Sequence, residues 1–175
     1  MTREVLRERL SRAHVVGFDA AIAPPPPVGR YAAVRVVAGV AYVSGQMPKT
    51  AGGNLLTARD LRTSAEPGTS PHLAYASARL AMANALAQAA ACDGVLEVRG
   101  LVRITGYFVG LSGEALAPAL DGASDLAAEV FGRGEGAHAR VVLGCAALPM
   151  GAGVELAVEI EVRAAEPVAA NADQR

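Results

Sequence analysis

From Val154 onward the chain alternates without a break: Val154, Leu156, Val158, Ile160 and Val162 fall on one side of an extended backbone, Glu155, Ala157, Glu159 and Glu161 on the other. Side chains of a strand point to opposite faces in turn, so the segment reads as a strand with one face in a core and one lined by carboxylates. Residues 137–148 read as the strand before it. Val141, Val142 and Leu143 follow Arg140, and Leu148-Pro149-Met150-Gly151 ends the run, because proline has no N–H for a ladder and glycine turns freely. A carboxylate row alone is most often a solvated sheet face. Arg140, at the mouth of the preceding strand, sharpens its meaning: a guanidinium is a planar fork of donors that grips a carboxylate in two parallel bonds, and a nearby glutamate can position a water.

Earlier in the chain, residues 31–37 and 40–44 read as a hairpin turning at Gly39, and Gly45 follows directly, leaving main-chain groups open to close approach. Residues 49–71 lack periodicity and read as a long loop, with a short strand at 54–57, of the kind that often walls a site. Pro71 then suits the first turn of a helix over 72–91, which Asp93-Gly94 stops; Leu80, Ala83, Leu86 and Ala87 are its expected sheet contacts. Residues 96–109 read as a central strand. Residues 116–131 read as a second helix broken by Pro118 and Gly122, with its regular part from Ser124, and 132–136 as a flexible glycine loop leading to His138 and Arg140. The order β-β-α-β-α-β-β, with helices able to lie on one face of a mixed sheet, is an α+β sandwich.

At 175 residues the chain fits one domain over 24–165, preceded by a helical extension at 1–23 and followed by a disordered tail at 166–175. Residues 3–14 repeat apolar positions at helical spacing, and Pro24–Pro27 form a stiff spacer. With 16 basic and 17 acidic residues, no Trp and few other aromatics, neither a basic groove nor a stacking platform for nucleic acid is indicated. No run approaches a membrane span, and the charged start lacks the apolar core of a secretory signal, which favours the cytoplasm. Cys92 and Cys145, and His14, His72 and His138, show no metal-ligand spacing, so no metal is expected; the cysteines read as small buried hydrophobes.

The pieces Tyr42-Val43-Ser44-Gly45-Gln46-Met47-Pro48 and Arg140…Leu148-Pro149…Val154-Glu155, in that order, resemble the Rid family, also called YjgF/YER057c/UK114 or L-PSP, over about residues 24–163. The resemblance implies a chorismate-mutase-like fold and a homotrimer, three sheets forming a central barrel with ligand clefts between subunits. It implies an enamine/imine deaminase that needs no cofactor: Arg140 holds the carboxylate of a 2-aminoacrylate-like substrate and Glu155 orients the attacking water. Tyr31 matches an aromatic at the cleft mouth, Gly45 a backbone contact and Ser124 an asparagine of the family, while Val142 stands where many members carry a cysteine. The N-terminal helix, the proline entry and the long loop resemble the longer branch labelled L-PSP endoribonuclease or chorismate-mutase-like. The alternatives are binding of a small carboxylate without turnover, endoribonuclease action, chorismate mutase activity and biosynthetic action on a larger imine. An Arg140 without a partner would be costly, so an acid, anion or water is expected beside it.

Overall fold

The computed structural model describes residues 1–24, 27, 29–63 and 72–165. Its strands β1 (Val34–Val37), β2 (Val40–Gln46), β3 (Val95–Val109), β4 (Ala139–Cys145) and β5 (Val154–Ala164) form one sheet in the order β1-β2-β5-β3-β4. Neighbours are antiparallel except β3 and β4, which run parallel and therefore need a crossover. Helix α4 (Leu116–Glu135) supplies it. Helix α3 (His72–Ala91) lies beside α4 on the same face of the sheet. The expected α+β sandwich is thus the observed one, with one difference: the central strand is β5, and 95–109 lies between it and the edge strand β4.

The alternation in β5 sorts as its pattern requires. Val154, Leu156, Val158, Ile160 and Val162 are buried under the helices, while Glu155, Ala157 and Glu159 are half-buried on the far face and Glu161 is exposed. Phe108 and Ile104 of β3 and Ala41 and Val43 of β2 complete the core floor; Leu80, Ala83 and Leu86 of α3 and Leu120, Ala123, Leu126 and Ala127 of α4 form its roof. Ala87, expected on the sheet, is half-exposed and lines a seam with Leu6 and Leu10 of helix α1 (Arg3–Arg12). Both leucines are buried, and two arginines of α1 tie down helix ends: Arg3 Nε donates to the Ala90 carbonyl (2.5 Å) and Arg9 Nη1 to that of Val130 (2.6 Å). Last-turn carbonyls have no partner within their own helix, so these arginines satisfy acceptors that the helices leave open.

Two expectations are corrected, and a third, the hairpin turn at Gly39, is met and extended. Helix α4 is not broken before Ser124 but runs unbroken from Leu116 to a kink at Gly132 (φ 84°), and residues 133–135 form one further helical turn beyond it instead of a free loop. Pro118 falls in the first turn, where a missing N–H costs no hydrogen bond. Gly122 is a contact residue: a Cβ there would lie 2.1 Å from the Tyr75 carbonyl oxygen, so glycine lets α4 cross α3 closely. The long loop also holds a short helix, α2 (Ala58–Thr63), and the expected strand at 54–57 is reduced to bridges of Leu55 with Lys49 and Thr57 with Ala152. Thr57 and Asp60 exchange hydrogen bonds across its first turn, Thr57 N and Oγ1 each donating to Asp60 Oδ2 at 2.7 Å, which holds the Asp60 carboxyl below its ordinary pKa. Finally, the hairpin turn takes Ala38 (φ 48°) as well as Gly39 (φ 79°) into the left-handed region. The tail at 166–175, Pro25 and Pro26 of the proline stretch, and residues 64–71 lie outside the described residues.

Because the obstruction at Gly122 is backbone, it cannot rotate away. Gly122→Ala is expected to lower stability by about 2 kcal/mol, in the range of overpacked cores, against the mild gain that alanine brings to an open helix site. Chemical denaturation reads the difference, and an unchanged midpoint would show that the crossing is looser than described.

Candidate functional site

The residues singled out by sequence form two groups at opposite sides of the sheet. Arg140 begins the edge strand β4 beside Ile104 of β3, whose side chain is fully buried toward the helices. It shares that face: its guanidinium Nη1 donates to Asp121 Oδ1 (2.6 Å) and to Ser124 Oγ (3.1 Å), both on α4. Asp121 and Ser124 are three residues apart on one helix face, which brings both to one cation. Ser124 Oγ also lies 3.0 Å from His138 Nε2, and His138 Nδ1 lies 2.7 Å from the Gly136 carbonyl. A carbonyl only accepts, so Nδ1 carries the proton; in the neutral ring Nε2 then accepts the Ser124 hydroxyl, whose lone pair is left for Arg140. Val142, two residues on, packs half-buried against the core. Arg140 thus has the acidic partner that its cost demands.

The second group gathers around the end of β2. The register of β2 on β5 slips between Val43 and Gln46, so two residues are spanned on β5 by three on β2 and the strand bulges at Ser44-Gly45. Gly45 therefore lies inside β2, not after it. Glu155 crosses its backbone so closely that a Cβ at Gly45 would sit 1.8 Å from Glu155 Oε1, and only glycine leaves that path open. Burial pushes the Glu155 carboxyl above its ordinary pKa, and among the described residues nothing donates a hydrogen bond to it. Beside the bulge, Tyr31, Gly45, Gln46, Met47, Lys49 and Met150 line a cavity of about 130 Å³ closed by Asn84 and Gln88 of α3. Asn84 Nδ2 fixes its wall by donating to the carbonyls of Met47 (3.1 Å) and Lys49 (3.0 Å).

Within one chain these groups do not meet. Glu155 is opposite Tyr107 and Arg140 opposite Ile104, an odd separation along β3 that sends the two side chains to opposite faces. With two strand spacings between β4 and β5, their Cα atoms are roughly 14 Å apart. Tyr31 precedes β1, four spacings from β4, or roughly 19 Å. Sequence reasoning missed Asp121 and His138 as neighbours of Arg140. An unbroken α4 places Asp121 one turn before Ser124, and His138 stands two residues from Arg140, so both signals were present.

Elsewhere, Cys92 and Cys145 are half-buried free thiols, the former with its pKa pushed up by burial. Among the described residues no group of three His, Cys, Asp or Glu side chains could hold a metal ion, and no helix is long and apolar enough to cross a membrane.

A mixed sheet with two helices on one face, an arginine at the edge strand and a glycine bulge under a glutamate define a chorismate-mutase-like protein of the YjgF type. The model of the family described as YjgF/chorismate mutase-like, putative endoribonuclease matches residues 11–159, and the chain belongs to that family. Its fold is similar to that of Atu1372, a protein of unknown function from Agrobacterium tumefaciens (29% identity, TM-score 0.70, 92% of this chain and 96% of that one). It is also similar to a putative endoribonuclease from Shewanella oneidensis (28%, TM-score 0.70, 92% and 99%). RidA from an Antarctic Psychrobacter shares the fold (21%, TM-score 0.51, 79% and 94%). No curated protein matches the sequence.

The raised pKa of Glu155 sets a pH dependence. The folded protein holds this proton more tightly than the unfolded chain, so the group's contribution to stability is greatest below the ordinary glutamate range and falls as pH rises through it to the raised value. Glu155→Gln, which carries no charge to bury, is expected to gain melting temperature relative to wild type as pH rises through and above the ordinary glutamate range of about 4. A difference that stays constant over that window would mean the carboxylate is well solvated.

Proposed function

We propose that the protein hydrolyses a small, reactive 2-imino acid, or its enamine tautomer, to a 2-keto acid and ammonia. The observation that carries this reading is the guanidinium of Arg140: both bonds to α4 leave from Nη1, so among the described residues no acceptor occupies Nε or Nη2, the edge that takes a carboxylate in two parallel bonds. An imine carbon is already electrophilic, and fixing it beside a water supplies much of the rate by positioning. The water oxygen bonds to that carbon, the carbon–nitrogen bond breaks, and the two water protons leave with nitrogen as ammonia. Glu155, with a raised pKa and no donor of its own, suits the task of orienting water and moving a proton.

Since Arg140 and Glu155 lie on opposite faces, the reading has the site completed by a second copy. One chain offers Arg140 at one edge of its sheet and Glu155, Gly45 and Tyr31 toward the other, the arrangement of a head-to-tail contact that closes into a ring. The far face of the sheet supplies apolar surface for such a contact: Val37, Tyr42, Val141 and Leu143 are 38–47% exposed there. A homotrimer with ligand clefts between subunits meets these requirements.

The test is release of ammonia and keto acid from enzymatically generated 2-aminoacrylate and its longer homologues. Wild type is expected to accelerate hydrolysis; Arg140→Ala and Glu155→Gln are each expected to lose at least about a hundredfold, the scale of one acid–base or anchoring group. Equal rates for wild type and Arg140→Ala on every imino acid would end the deaminase reading.

A further inference from the structure

We infer that the cavity beside the β2 bulge is a binding site, separate from the Arg140 and Glu155 groups, for a short uncharged aliphatic molecule ending in an N–H donor, which the side-chain oxygen of Asn84 accepts. Asn84 stands on α3 and is 8% exposed. Its amide carries two hydrogens, and both are committed, one to the Met47 carbonyl (3.1 Å) and one to the Lys49 carbonyl (3.0 Å). Those bonds settle which end of the amide is nitrogen. The oxygen then accepts from nothing among the described residues, and the space left to it is the cavity that Asn84 helps to line.

A buried acceptor without a donor has lost the hydrogen bonds that water gives it in the unfolded chain, so an occupant that brings a donor is favoured over one that does not. The rest of the lining sets the occupant's body. Tyr31, Ala33, Met47, Leu55 and Met150 present apolar atoms, and methionine adjusts to irregular guests. Lys49 is the one charged residue of the lining, with no carboxylate there to balance a cation, so an amine is disfavoured. A carboxylate end would set its acceptors against the Asn84 oxygen. The cavity, about 130 Å³, compares with the roughly 150 Å³ that takes a benzene ring, so a guest of about six non-hydrogen atoms fits.

The cavity lies on the helix side of the sheet. Gln46, in its wall, pairs with Leu156, and paired residues of neighbouring strands share a face, which for Leu156 is the one buried under the helices. Glu155 is on the other face. Gly45 belongs to both: it lines the cavity, and it is the residue whose missing Cβ lets Glu155 pass. A ligand here rests against the bulge from the side away from the carboxyl, so the site does not depend on the deaminase reading.

NMR titration of the full chain with butanamide and with 2-pentanone tests the site, since the two share a shape and differ only in an amino or a methyl group beside the carbonyl. Butanamide is expected to shift the resonances of Gly45, Met47 and Asn84 and to bind about tenfold more tightly than 2-pentanone, the scale of one buried acceptor satisfied. Asn84→Ala is expected to remove that preference. Ala33→Leu, which narrows the cavity and leaves the Asn84 bonds in place, is expected to weaken both ligands about tenfold, and it decides the location if Asn84→Ala does not fold. Equal affinities of wild type for the two ligands would show that the Asn84 oxygen does not meet the guest, and the proposal would end there. Unchanged binding to Ala33→Leu, tighter binding of butanoate than of butanamide, or no binding of any of the three at millimolar concentration would each overturn it as well.

Discussion

Everything in this molecule hangs on β5 being paired along both of its edges. Flanked by β2 and β3, it cannot slip by one residue without carrying five buried aliphatic side chains to the far face and three carboxylates into the core. That register fixes where β2 must bulge, and the bulge lets Glu155 cross Gly45. It also fixes the phase of β3, and through β3 the side of the sheet from which Arg140 emerges. The position of each proposed functional group follows from one alternating segment.

The two faces of the sheet then have different fates. Helices α3 and α4 seal one with alanine, leucine and a single close crossing at Gly122, and the arginines of α1 satisfy carbonyls at the helix ends. The other keeps half-buried glutamates beside exposed Tyr42, Val141 and Leu143. An isolated chain gives those apolar side chains no cover; the ring of copies proposed above would cover them and bring Arg140 of one copy toward Glu155 of another. Catalysis and assembly would share a single cause.

The strands were legible because period-two alternation and a two-residue turn are local signals. Helix α3 was legible because its composition admits little else. What failed were sites where a breaker residue had a tertiary use: Pro118 looked like an interruption until its place in the first turn was known, and Gly122 looked like a restart until Tyr75 was seen against it. The capping exchange between Thr57 and Asp60, a threonine followed three residues later by an acid, was readable and was lost in a stretch judged only by its lack of periodicity. For the site, the residue types were readable and their grouping was not, since whether two side chains share a face depends on strand order, and strand order is a long-range property.

That distinction bears on how the arginine is understood. Reading along the sequence pairs Arg140 with Glu155, the acid in the next strand. The structure pairs it with Asp121 and Ser124 of α4, and His138 in turn holds Ser124. A guanidinium held at one nitrogen by an acid and a hydroxyl is oriented before any ligand arrives, so binding need not freeze a flexible side chain. The cost is competition: Asp121 lowers the positive potential that would otherwise draw any anion to the site. An anchor built this way trades strength toward anions in general for a fixed direction of approach.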